Sequence, residues 1–445
     1  MIQILFVSLG CDKNLVDSEM MLGLLQDKGY GITSDEKEAD VAVVNTCCFI
    51  HDAKEESIET IIELGQLKKG RLKALIVTGC LAQRYHDEIR KELPEVDAVL
   101  GSGDIGAIVA AVEEVLAGQA FEQVSNPDEQ PLYIGRRLTT PGNFMGYLKL
   151  AEGCDKHCTY CIIPKIRGRY RSVPMEDLVR QAEELVALGI SELCLVAQET
   201  TLYGVDLYGE KKLPELLRKL AGIADLKWIR LLYCYPEEIT DELVMEIRDN
   251  PKVCHYLDMP IQHCEDSVLK RMGRRTTKSA LKERILQLRE KIPDMVLRTT
   301  LITGFPGETE EDHRNMLEFV DEMEFDRLGV FSYSAEEGTP AYEYPDQVPE
   351  ETKERWRDEL MELQQEVSHD RNRMRIGQTL QVVVDGYLYE DQMYVCRSYM
   401  DAPEIDGCVF VSSKEELMTG SFIEVTITGC NEYDLIGVKR DELTE

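Results

Sequence analysis

Glu152-Gly153-Cys154-Asp155-Lys156-His157-Cys158-Thr159-Tyr160-Cys161-Ile162-Ile163-Pro164 places three cysteines at C-x-x-x-C-x-x-C spacing, just after the apolar run Tyr147-Leu148-Lys149-Leu150. A strand ending there hands the chain to a tight loop with three thiols turned toward a common point. Thiolates are soft ligands, and three on one loop leave one iron of a four-iron cluster without a protein ligand. An open metal position is where a substrate or cofactor binds. Two blander readings of the spacing are a partial zinc site and a Cys158-x-x-Cys161 redox pair. Zinc wants a fourth ligand in the same loop, and a redox pair does not need Cys154. His157 lies between these cysteines, but thiolate spacing explains the loop without it, and it reads as a solvated loop histidine.

Outward from this loop, residues 143 to about 334 alternate strand-like runs with helical patterns. The strands fall near residues 147–150, 193–197, 228–234, 256–260, 296–302 and 328–333. Repeated βα units of this length predict a barrel-like parallel sheet of six units, with catalytic groups at the carboxyl ends of its strands. The cysteine loop follows the first strand, at that end. Gln198-Glu199-Thr200-Thr201, Gln262-His263, Thr303-Gly304 to Glu308 and Ser334 to Thr339 stand at other carboxyl ends and form a polar ring around it. Each alone is equally well a turn or a helix cap.

Residues 1 to about 136 also alternate strands and helices. Ile2 to Ser8, Val41 to Val44 and Ala74 to Val77 are continuous apolar runs, the mark of a parallel sheet covered on both faces. One cysteine follows each run: Cys11, Cys47 and Cys80. Open parallel sheets bind ligands at their carboxyl ends, so three thiols at three equivalent strand ends converge although tens of residues separate them. Buried structural cysteines are the alternative. Cys48, beside Cys47, should point the other way by strand alternation. Gly101-Ser102-Gly103-Asp104-Ile105-Gly106 matches G-x-G-x-x-G but does not sit in the first βα turn, and it reads as a loop. Residues 125–143 read as a linker.

Glu350 to Met374 predicts a long, charge-laced helix that leaves the barrel. Beyond it, short alternating strands at residues 379–384, 393–397, 408–412 and 422–429 predict a small all-β barrel. The fold class is therefore α/β and multidomain: an N-terminal parallel sheet domain (residues 1–136), a partial (β/α)6 barrel (142–370) and a small β-barrel (375–445).

The chain of 445 residues is long enough for roughly two to four domains with sizeable cores. Its apolar start is too short for a membrane span and lacks the basic start and cleavage site of a signal peptide, so the expected location is cytoplasmic. Fourteen cysteines in a reducing compartment argue for metal ligation or buried thiols over disulfides. A net charge of −33 disfavours non-specific nucleic-acid binding and suits either general solubility or a basic protein partner. From Arg371 onward, seven Lys or Arg stand against fourteen Asp or Glu, a net −7, whereas β-barrels that bind nucleic acid use basic grooves.

With Cys154, Cys158 and Cys161 on a six-unit βα barrel, the chain resembles the radical S-adenosylmethionine (SAM) enzymes. A three-cysteine α/β domain, this barrel and a terminal TRAM-type barrel together resemble the methylthiotransferases over essentially the whole chain. Ser8-Leu9-Gly10-Cys11-Asp12-Lys13-Asn14 through Glu19, Ile163 through Ser172, and Asp258-Met259-Pro260-Ile261-Gln262-His263 are similar to the ribosomal-protein branch of that family. Cys48 departs from the family pattern, where a glycine is expected. The resemblance implies two 4Fe-4S clusters, one on Cys154, Cys158 and Cys161 that binds and cleaves SAM, and an auxiliary one on Cys11, Cys47 and Cys80 that holds the sulfur to be transferred. It implies methylthiolation of an aspartate β-carbon in small-subunit ribosomal protein S-twelve, and an electron donor such as flavodoxin or ferredoxin. Gln198 and Glu199 are expected to contact SAM by position. A tRNA methylthiotransferase shares all six cysteines, and a non-catalytic iron–sulfur scaffold is a further alternative. The acidic terminal barrel weighs against stable tRNA binding and suits docking of a basic ribosomal protein.

Overall fold

The computed structural model describes residues 1–140 and 142–442. Pro141, within the predicted linker, and residues 443–445, at the end of the terminal barrel, lie outside the described residues.

The N-terminal sheet has six parallel strands. From one edge to the other they are Gly31–Thr33, Gln3–Ser8, Val41–Thr46, Ala74–Gly79, Ala98–Leu100 and Phe121–Gln123. The central runs are buried on both faces, and successive residues serve opposite cores. Val41 and Val43 pack with Val16, Met20 and Ile108 under one pair of helices, while Ala42 and Val44 pack with Ile61, Leu81 and Ile89 under the other pair. This two-residue period inside an apolar run is what a doubly covered parallel strand requires. The strand order reverses between Gln3–Ser8 and Val41–Thr46, which makes their carboxyl ends the topological switch point of the sheet. The two outermost strands, three residues each and only partly buried, were not expected from the sequence because they carry no apolar run.

The central sheet contains all six expected strands in chain order: Met145–Lys149, Glu192–Val196, Trp228–Leu231, Val253–Asp258, Val296–Thr303 and Arg327–Ser332. Every neighbouring pair is parallel, and the first and last strands do not pair, so the barrel is open. The helix Glu350–Arg373 does not leave this domain, contrary to expectation. It lies back along the last strands, burying Trp356, Leu360, Gln364 and Val367 on one face, and Gln364 donates to the carbonyl of Phe325 at 2.8 Å. Its many exposed charges masked a narrow buried stripe. The described residues of the predicted linker have no regular structure but are tethered by Arg137, whose guanidinium pairs with Glu19 and donates to the carbonyl of Tyr147.

Five strands close the terminal barrel: Thr379–Leu388, Met393–Ser398, Val409–Ser412, Leu435–Lys439 and Phe422–Cys430. Leu435–Lys439, absent from the sequence reading, pairs with both neighbours and completes the closure. The barrel turns acidic groups inward, two of them to arginines of the central sheet and one to its own Arg397. Asp401 pairs with Arg327 at 2.7 Å, Asp406 stands 3.4 Å from Arg298 and accepts from the Tyr256 hydroxyl at 2.7 Å, and Asp385 binds Arg397 at 2.9 Å. The −7 count therefore does not locate the acidic surface of this barrel, since Arg371 in turn pairs with Asp326 of the central domain. Glu192, fully buried on the second strand, takes Arg230 at 3.0 Å and Arg397 at 2.9 Å, one from each domain.

Removing one partner of a buried ion pair strands the other charge away from water. Glu192→Ala leaves Arg230 without a carboxylate and Arg397 with Asp385 alone, and is expected to destabilise the chain by about 3–5 kcal/mol in denaturant unfolding. A loss below about 1 kcal/mol would show that this contact does not hold the terminal barrel in place.

Candidate metal centres

Cys11, Cys47 and Cys80 come together because three adjacent parallel strands end side by side. Asn14, in the first turn of the helix after Cys11, staples those ends. Its Nδ2 donates to the carbonyls of Leu9 at 3.0 Å and Thr46 at 3.1 Å, and its Oδ1 accepts from the Cys80 thiol at 3.8 Å. Gly10 has φ +89°, and a Cβ there would fall 2.7 Å from the Cys47 Cβ and 3.0 Å from its sulfur. Only glycine lets the first two strand ends approach so closely. Ser57 donates to the Cys47 carbonyl at 2.9 Å and accepts from its N–H at 3.1 Å. Cys48 joins the apolar cluster around Val44, Ile61 and Leu81, which also takes in Cys80. Burial pushes the Cys80 thiol up to about 12, opposed by Arg167 and reinforced by Cys47 and Cys11. Burial likewise raises Cys47, with Cys11 adding to it.

The second set sits on the loop after Met145–Lys149. Gly153, at φ +74°, would bring a Cβ within 2.1 Å of the Arg169 carbonyl, so the turn into the loop needs glycine. The loop is held at both ends: Cys154 N–H donates to the Gly168 carbonyl at 3.0 Å and Thr159 N–H to the Met272 carbonyl at 2.9 Å. The Tyr235 hydroxyl stands 3.8 Å from the Cys158 sulfur, and Arg274 lies over the Tyr235 ring at 4.1 Å. His157 is exposed, as read from the sequence. Burial pushes the Cys154 thiol up to about 11 and raises Cys161, with Cys158 adding to both.

Among the described residues, no three His, Cys, Asp or Glu side chains close on a single ion. Two sets of three soft donors suit iron–sulfur clusters with one iron left open each.

Glu199 is fully buried at the carboxyl end of the second barrel strand. Its Oε1 accepts from the Thr201 N–H at 2.9 Å and from the Thr201 hydroxyl, and Lys156 Nζ is 4.0 Å from Oε2. Burial raises this carboxyl to about 7 against those partners, and Oε2 has no hydrogen-bond donor among the described residues. Gln198, half-buried, precedes it on the same turn. Parts of the polar ring do other work. His263 and Glu308 face each other at 3.4 Å in the core, and Glu336 takes Lys54 at 2.9 Å and Arg84 at 2.8 Å from the N-terminal domain. The Gly101–Gly106 stretch is a turn that docks on the barrel, with Ser102 Oγ donating to the Ile166 carbonyl at 2.9 Å.

The residues that join the two centres were not singled out from the sequence. Arg167 ends the short helix Ile163–Arg167 that follows the barrel's cysteine loop. Its Nη1 meets Asp17 at 2.7 Å and Glu152 at 3.3 Å, and its Nη2 donates to the same Asn14 Oδ1 that faces Cys80. Lys149 pairs with Asp17 and, at 2.8 Å, with Glu152. Asn14, Asp17 and Arg167 lie within the stretches that carry the family resemblance.

Comparison with known proteins places these features in a family. Residues 3–101 match Uncharacterized protein family UPF0004, residues 148–320 the Radical SAM superfamily, and residues 376–439 the TRAM domain. The chain is 58% identical over 436 residues to the ribosomal protein uS12 methylthiotransferase RimO of Lachnoclostridium phytofermentans, covering 98% of this chain and 99% of that protein. It is 50% identical over 443 residues to the protein of that name in Geobacter sulfurreducens (97% of each chain), and 48% over 444 to that of Clostridioides difficile (98% of each). Among solved structures, the radical SAM methyltransferase TsrM of Kitasatospora setae superposes with a TM-score of 0.56 over 77% of each chain at 15% identity, a likeness of fold. The chain belongs to the RimO family of ribosomal protein uS12 methylthiotransferases.

Proposed function

We propose that this chain adds a methylthio group to the β-carbon of an aspartate in ribosomal protein uS12. The observation that carries the reading is the pairing of two three-thiol centres, one per domain, across a buried interface. Cys154, Cys158 and Cys161 would hold the 4Fe-4S cluster that binds SAM, and Cys11, Cys47 and Cys80 the auxiliary 4Fe-4S cluster. When bound, these groups supply a one-electron cleavage of SAM, giving a radical able to take an unactivated hydrogen, and a source of sulfur for the resulting carbon. The protein's part is to hold the two centres in register and keep water out. Residues 1–136 supply the auxiliary site, 142–370 the SAM site and 375–445 the TRAM-type barrel. Glu199, with one oxygen free of donors, and Gln198 beside it are suited to receive the SAM amino group. Exposed Glu390, Asp391, Glu415, Glu416 and Glu424 still leave the terminal barrel better matched to a basic protein than to tRNA. A cytoplasmic location and a flavodoxin- or ferredoxin-type electron donor complete the reading. No helix among the described residues is long and apolar enough to cross a membrane.

Replacing Cys154, Cys158 and Cys161 with alanine is expected to halve the bound iron and abolish 5′-deoxyadenosine formation. The matching triple replacement at Cys11, Cys47 and Cys80 should also halve the iron, yet leave 5′-deoxyadenosine formation intact while methylthiolated uS12 disappears from the mass spectrum. Methylthiolated uS12 from either variant would overturn the assignment.

Because the Glu199 carboxyl titrates at about 7, it is near half protonated at neutral pH. Drawing an ammonium group onto it should expel up to about half a proton at pH 7 and more at pH 6, where the amino group of SAM arrives already protonated. Calorimetric titration of SAM in buffers of different ionisation heat reads this directly, and Glu199→Gln should erase it. Buffer-independent heats at pH 6 would remove Glu199 from the SAM site.

A further inference from the structure

We propose that Arg167, a residue of the barrel domain, is the hydrogen-bond donor and counter-charge of the auxiliary cluster held by the N-terminal domain. The inference rests on the reading of Cys11, Cys47 and Cys80 as ligands. The Cys80 thiol and Arg167 Nη2 both point to one acceptor, Asn14 Oδ1, so the guanidinium lies beside the sulfur. A thiol can donate to that oxygen, but a thiolate bound to iron has lost its proton and needs a donor instead. Asn14 has none to offer, since both its N–H groups go to the carbonyls of Leu9 and Thr46. Arg167 does: its Nε is buried with no hydrogen-bond partner among the described residues. Arg167 is 2% exposed, and its charge also acts on Cys47 and Cys11. Three thiolates leave the cluster a net negative charge that deepens on reduction, and such a charge in a buried site needs a cation close by.

Arg167 is thus a positioning residue, and its signature is a potential. Without it, the reduced auxiliary cluster loses its compensating charge and its midpoint potential moves to a more negative value, while the cluster on Cys154, Cys158 and Cys161 keeps its own. The test uses the full chain with both clusters reconstituted anaerobically, titrated under electron paramagnetic resonance with no substrate present. Arg167→Gln is made alone and together with Asp17→Asn, the pair keeping the buried charge balanced so that the domains stay docked. Arg167→Lys keeps the charge and should stay near the wild-type value. A negative shift confined to the auxiliary cluster, or loss of the auxiliary iron alone, is the expected result. Two clusters loaded at wild-type potentials in Arg167→Gln would overturn the proposal and leave the ligand assignment standing. A wild-type chain that loads a single cluster overturns both.

Discussion

The two thiol centres belong to different domains, and a group of buried charges holds them to one another. Asp17 comes from the first helix, Lys149 and Glu152 from the first barrel strand and the turn after it, and Arg167 from the far end of the cysteine loop. Two charges of each sign, none more than 8% exposed, neutralise one another there. A buried ion network is poor evidence of stability, because desolvation consumes most of the attraction. It is better evidence of specificity. Only one relative placement of the domains satisfies all four groups, whereas an apolar interface would tolerate sliding. Ile162 and Ile166 supply that apolar contact against the N-terminal core, and the charges set its register.

Much of this was legible from residue order alone. The apolar runs that gave the sheets needed no partner information, because a strand buried on both faces has no polar residue to confuse it. Convergence of Cys11, Cys47 and Cys80 followed from one topological rule. What escaped was of two kinds. Short edge strands such as Gly31–Thr33 carry too little burial to leave a pattern, and the closing strand Leu435–Lys439 is interrupted by Gly437. The bridging charges escaped for a different reason: Arg167 and Asp17 are 150 residues apart. Nothing local separates Lys149, alternating with Leu148 and Leu150, from an ordinary solvent-facing strand position.

The terminal barrel shows how composition misleads when sites are not located. Its acidic surplus suggested a uniformly negative docking face, yet Asp385, Asp401 and Asp406 are matched to arginines at the junction with the central sheet or inside the barrel itself. Part of the count is internal mortar. The acidic groups left outside lie on hairpins and the barrel wall, where they face solvent.

Asn14 carries a consequence for descent. Three recognisable modules can be cut from this chain by sequence similarity, which suggests parts that could be exchanged among relatives. The side chain of Asn14 argues otherwise, since it accepts at once from a thiol of its own module and from a guanidinium of the next. A chimera joining the first module of one lineage to the barrel of another would inherit half of a contract. The first two modules are physically one unit, with positions 14, 17, 152 and 167 answering to one another across the domain boundary.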